Sequence, residues 1–128
     1  MKNMKGSRSE TGRSGEQIAC SYLESMGHVI LERNWRTGHL EIDIVSRDGA
    51  GIHFVEVKTR RPPLVALPQD NVGHAKQQKL ARAALAYLNT VGGVGNSEDC
   101  HFDVMGVLLD DENHSVEWVP DAFFPIFG

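Results

Sequence analysis

The stretch 40–60, LEIDIVSRDGAGIHFVEVKTR, constrains the fold more than any other part of the chain. Aliphatic and β-branched residues flank Asp48 and Gly49 on both sides, which predicts two strands joined by a turn. Three charged groups stand where such strands carry apolar ones. Asp43 lies between Ile42 and Ile44, and Glu56 and Lys58 flank Val57. Side chains alternate faces along a strand, so Glu41 shares a face with Asp43, and Glu56 shares one with Lys58. A four-residue loop from Asp48 to Gly51 would set Asp43 opposite Glu56. A two-residue turn at Asp48 and Gly49 would make them diagonal neighbours, and an odd loop length would separate them.

Two carboxylates and a lysine on one patch of sheet admit two readings. In the first, Glu56 and Lys58 form a same-face ion pair worth at most about 1 kcal/mol, and Asp43 is solvated. In the second, the group holds a divalent cation. Two ionised carboxylates about 4 Å apart repel by roughly 4 kcal/mol at an effective dielectric of 20, and a cation reverses that sign. Mg²⁺ takes oxygen ligands and keeps several waters, so one or two carboxylates plus a substrate phosphate suffice. Lys58 would then orient water or stabilise charge developing on phosphorus. Strongly apolar flanks suggest strands covered on both faces, which the first reading accounts for less well, but the spacing alone leaves both readings open.

The remainder of the chain predicts one α/β domain over residues 14–128, preceded by a basic tail at 1–13. The 128 residues contain 41% apolar and 23% charged side chains, as in an ordinary globular protein. No apolar run reaches the roughly 20 residues of a membrane span, and no secretory signal opens the chain. A cytoplasmic location and no membrane partner are expected. Cys20 and Cys100 match no metal-ligand spacing and are expected as small buried residues. The six histidines show no H-x-x-x-H pattern, so no zinc site is expected. Residues 1–82 hold all 13 Lys and Arg against nine acids, and residues 83–128 hold eight acids and no Lys or Arg. Such polarity suits a phosphate-facing basic side.

Ser14, with Gln17 three residues on, reads as a capping box for a helix over 15–26, and Gly27 reads as its stop. Strands are predicted over 28–35, 40–46 and 52–59. A proline-bearing loop at 62–73, able to gate a substrate, leads to a second helix beginning at Asn71 or Val72 and ending near Asn89. A flexible glycine-rich connection at 91–96 leads to strands over 102–109 and 115–119. Asp103 is expected to be solvated near its strand start, and the apolar tail 122–127 to pack on the sheet or second helix. The element order is α-β-β-β-α-β-β, a mixed sheet flanked by helices.

The segments GRSGEQIACSYLESMGHVILERNWR, EIDIVSRDG, HFVEVKTR and HFDVMGV, with a lysine-bearing helix before the last, resemble the YraN family of small bacterial proteins. That family is placed in the PD-(D/E)XK nuclease superfamily, near Holliday-junction resolvases. The resemblance implies a restriction-endonuclease-like fold with a central mixed β-sheet flanked by helices. It implies Asp43 as the motif aspartate, Glu56 and Lys58 as the E-x-K pair, and Glu16 as a helix-borne acid approaching the metal. The implied metal is Mg²⁺ or Mn²⁺, held by Asp43, Glu56 and the Val57 backbone carbonyl, with Glu16 as a further candidate. Gln77 or Lys79 would be the auxiliary helix residue. One departure concerns the turn before Glu41, where family members carry glycine and this chain has Leu40.

A metal-dependent endonuclease acting on branched or junction DNA in repair or recombination is therefore the first expectation. Arg33, Arg36, Arg60, Arg61, Lys76 and Lys79 are the candidates for phosphate contacts. Junction cleavage would need two active sites, and hence a homodimer. The alternative is a non-catalytic nucleic-acid-binding module of the same fold. A third reading, a partner-binding protein, would use the tail 123–127.

Overall fold

The computed structural model describes residues 7–61, 73–91 and 99–124. The elements are α1 (Ser7–Ser25), β1 (Val29–Thr37), β2 (Leu40–Asp48), β3 (Gly51–Arg60), α2 (His74–Val91), β4 (Cys100–Asp110) and β5 (Asn113–Val119). The five strands form one sheet in chain order, antiparallel throughout except for the parallel pair β3–β4. A parallel neighbour requires a crossover connection, and α2 lies within it. The chain is thus an α/β protein with a mixed five-stranded sheet and two helices. No helix among the described residues is long and apolar enough to cross a membrane.

Each helix covers one face of the sheet. On the α1 side Ala19, Cys20 and Leu23 pack with Ile44, Val55, Met105 and Val107. On the α2 side Leu80, Ala83, Ala84 and Tyr87 pack with Val45, Ile52, Phe54 and Phe102. Both faces of β3 are therefore buried, as its apolar flanks predicted. Phe123 joins the α2-side core, 5.5 Å from the Phe102 ring, so the start of the apolar tail packs on the sheet. Phe124 is exposed.

Two local expectations are corrected. The first helix begins at Ser7, so Ser14 lies inside it and caps nothing; no proline interrupts the stretch, and the helix takes in half of the expected tail. Gly15, within α1, faces Thr59 so closely that a Cβ would overlap that side chain. Cys100 is exposed at the start of β4, although Cys20 is buried. The predicted stop at Gly27 holds: the His28 amide donates to Leu23 and the Gly27 amide to Glu24, with Gly27 at φ +97°. That pairing is a Schellman motif, and it delivers His28 to the sheet. Residues 1–6, the loop 62–72, the connection 92–98 and the tail beyond Phe124 lie outside the described residues. The proposed gating loop and most of the partner-binding tail fall there.

Candidate functional site

The β2–β3 hairpin closes with Asp48 paired to Gly51 and Arg47 to Ile52. This is the first of the sequence-level alternatives, the register that sets Asp43 opposite Glu56. The β1–β2 turn is likewise even, with Thr37 paired to Leu40 across Gly38 and His39. Gly38, at φ +60°, supplies the positive dihedral that two-residue hairpins need. The departure from the family pattern at Leu40 leaves the register intact.

The β2–β3 ladder runs from that turn to Ile44–Val55. Beyond this pair, the Asp43 carboxylate takes the Val57 amide at 2.9 Å in place of a backbone partner. Strict alternation also fails at Asp43. Ile42 packs in the α2-side core and Ile44 in the α1-side core, although residues two apart should share a face. Asn34, on the neighbouring β1 between Arg33 and Trp35, has φ +53° at the same level. The strand is irregular there, and Asp43 is turned toward β3. The register that points Asp43 toward Glu56 was among the alternatives the sequence allowed, but the ladder stops one residue short of that pair, and the common face of Asp43 and Glu41 fails.

Glu56 is buried on the α2 side of β3. Lys58 Nζ lies 3.4 Å and Lys76 Nζ 3.3 Å from its Oε2. From α2, Lys76 thus reaches Glu56. Burial pushes the Asp43 carboxyl up to about 7, and the charges of Glu56, Glu16 and Glu41 add to that rise against the Val57 hydrogen bond. Glu16 reaches this neighbourhood because Gly15 lets α1 approach β3. Its Oε1 accepts a hydrogen bond from Asn34 Nδ2 at 3.0 Å. In an extended residue the amide and carbonyl point to the same side of the strand, so the Val57 carbonyl faces the gap that Asp43 occupies.

The arginines are more dispersed. Arg33 donates to Gln17 at 3.1 Å, and Arg36 pairs with Glu41 at 3.5 Å on the exposed surface. Arg60 bonds the Thr59 carbonyl, and Arg61 lies just beyond β3. Both Arg33 and Arg36 are on the β1 edge, whereas Asp110, Asp111, Glu112 and Glu117 are exposed at the β5 edge.

A second polar cluster was not legible in sequence spacing. His28, Asp48 and His53 converge on the α1 side near the β2–β3 turn, their ligand atoms within 4.8 Å of one another, and the trio could hold a metal ion. Asp103, expected to be solvated, is wholly buried beside it. Its carboxylate accepts from His53 Nδ1 at 2.7 Å, Trp118 Nε1 at 3.2 Å and the Asp121 amide at 2.9 Å. The four groups come from three strands and the residue just before β1, so no single local motif announces them. The hairpin register carried a usable signal: Ser46 pairs with His53, and Asp48 lies two residues farther on the same face.

Residues 15–107 match UPF0102, an uncharacterised protein family. The chain belongs to that family. A UPF0102 protein of Syntrophus aciditrophicus is 45% identical over 118 residues, covering 92% of this chain and 91% of that one. One from Chlorobium chlorochromatii is 41% identical over 128 residues, covering 95% and 97%. One from Bacteroides thetaiotaomicron is 37% identical over 116 residues, covering 91% and 93%. Among solved structures, Pyrococcus furiosus SfsA in complex with Ca²⁺ is similar with a TM-score of 0.38 and 17% identity. That alignment covers 87% of this chain and 62% of SfsA, less than two thirds of its length.

Proposed function

We propose that this UPF0102 protein is a Mg²⁺- or Mn²⁺-dependent DNA endonuclease of the PD-(D/E)XK type, built on a restriction-endonuclease-like fold. The observation that carries the reading is the Asp43 carboxylate, held by the Val57 amide just past the end of the β2–β3 ladder and close enough to buried Glu56 to feel its charge. Two carboxylates held together against their repulsion fit a divalent cation, whose binding would favour the ionised form of both. Asp43, Glu56 and the Val57 carbonyl would hold the ion, with Glu16 approaching from α1. A bound divalent cation would polarise a phosphoryl oxygen and lower the pKa of a bound water.

The protein's own groups do the remainder. Val57 fixes the Asp43 carboxylate through its amide. Lys58 and Lys76 place positive charge at Glu56, where charge developing on phosphorus would be stabilised. Arg33, Arg36, Arg60, Arg61 and Lys79 are candidates to hold the DNA backbone. A junction substrate, cut at two positions, would require two copies of the chain.

One observation favours the alternative, a nucleic-acid-binding module without turnover. Both lysines already neutralise Glu56, so the site is partly compensated without a cation. The two readings separate on cleavage. Wild type should cut branched, flapped or single-stranded DNA with Mg²⁺ or Mn²⁺, and Asp43→Ala and Lys58→Ala should lose at least 100-fold. Salt-dependent binding with no cleavage of any of these substrates would leave the module as the function.

A further inference from the structure

We propose that His28, Asp48 and His53 form a second metal site, selective for a borderline transition ion of the Zn²⁺ class and separate from the acidic Asp43–Glu56 site. The donor set is two imidazoles and one carboxylate, the chemistry that suits Zn²⁺ rather than Mg²⁺. His53 Nε2 lies 2.8 Å from Asp48 Oδ1, and His28 Nε2 lies 3.3 Å from Asp48 Oδ2. Donor atoms in a tetrahedral zinc shell, with bonds of about 2.0–2.1 Å, stand roughly 3.3 Å apart. His53 and Asp48 stand closer than that and would have to part on binding, while all three donor atoms already lie within 4.8 Å of one another. The two imidazole rings lie side by side, centroids 4.6 Å apart and tilted by 56°.

The far side of each ring supports the assignment. Metal-binding histidines usually donate their other N–H to a fixed acceptor, which sets the tautomer and aims the free nitrogen. His28 Nδ1 lies 2.9 Å from Ser46 Oγ, and His53 Nδ1 lies 2.7 Å from Asp103 Oδ2. Asp103 is itself held by Trp118 and the Asp121 amide, so the outer shell is rigid. Both Nε2 atoms are thereby directed at Asp48. The carboxylate is oriented in turn by the Ala50 amide, which donates to its Oδ1 at 2.9 Å in the hairpin turn. Both histidines are buried, whereas the Asp48 side chain is 25% exposed. Three protein ligands with one side toward solvent is the pattern of a zinc site that keeps an open fourth position. Such an ion would tie the starts of β1 and β3 to the end of β2.

The test uses untagged full-length protein stripped with chelator. Calorimetric titration with Zn²⁺ should give one equivalent bound by wild type and by Asp43→Asn, with affinity reduced at least 100-fold in His28→Gln and in Asp48→Asn. Ser46→Ala should weaken binding by about 10- to 100-fold, through loss of ring orientation. Folding of each variant is checked by circular dichroism. If a ligand variant does not fold, Co²⁺ bound to Asp43→Asn carries the test by its visible absorption. An intense four-coordinate spectrum supports the site, and a weak octahedral spectrum or none overturns it. Failure of wild type to bind Zn²⁺, equal binding by His28→Gln and Asp48→Asn, or loss of binding in Asp43→Asn would each overturn it.

Discussion

The Asp43 carboxylate accepts the backbone amide of Val57 at 2.9 Å, just past the last ladder pair of the β2–β3 hairpin. One side chain thus replaces a backbone partner and brings a buried acid beside Glu56. The hydrogen bond favours the ionised form, but burial and neighbouring acids outweigh it. Under the proposed function, a bound cation would relieve that conflict.

Stability should record that conflict. The Asp43 pKa rises from 3.8 to about 7 on folding, so the unfolded chain releases this proton first as pH increases. The associated stability is fully present below pH 4, falls between about pH 4 and pH 7, and is absent above, by about 4 kcal/mol at most. Urea unfolding of metal-free Asp43→Asn should lack this fall and exceed wild type at pH 8. A wild-type profile flat across that window would contradict the account.

Replacing Gly15 should separate α1 from β3. A Cβ there overlaps the Thr59 side chain, so Gly15→Ala should destabilise by about 1–3 kcal/mol in thermal or urea unfolding. Thr59→Ala in the same chain removes two of the overlapping atoms and should restore part of the loss. Additive destabilisation by the two changes would show that the close approach is not what Gly15 serves.

How much of this was legible follows from where each signal lies. The hairpin could be read from residues 40–60, because alternation and turn chemistry are local, while its register stayed open among several loop lengths. That Lys76 reaches Glu56 could not be read, since it depends on how α2 docks across the sheet. Asp103 was misjudged for a similar reason. Its partners His53, Trp118 and Asp121 lie 15 to 50 residues away, and only the sheet assembles them. Ser14 offered a capping box, but a helix continues wherever the preceding residues can extend it.

Asp103 should prove structural. Asp103→Ala would leave the His53, Trp118 and Asp121 donors without their buried acceptor. A loss of about 3–5 kcal/mol is expected from urea unfolding. A loss below about 1 kcal/mol would mean that the cluster relaxes or admits water.

Lys76 should matter for chemistry and little for folding. Its side chain is 47% exposed, so Lys76→Ala should change stability by less than about 1 kcal/mol. DNA cleavage with Mn²⁺ should fall at least 10-fold in the same variant. An unchanged cleavage rate would remove Lys76 from the proposed site.

The Asp43–Glu56 pair itself is tested most directly by Mn²⁺ titration calorimetry at pH 8, with and without a DNA oligonucleotide. Wild type should bind Mn²⁺, more tightly with DNA present, and both Asp43→Asn and Glu56→Gln should lose at least 10-fold in affinity. Equal Mn²⁺ affinity in wild type and both variants would contradict a cation site at these carboxylates.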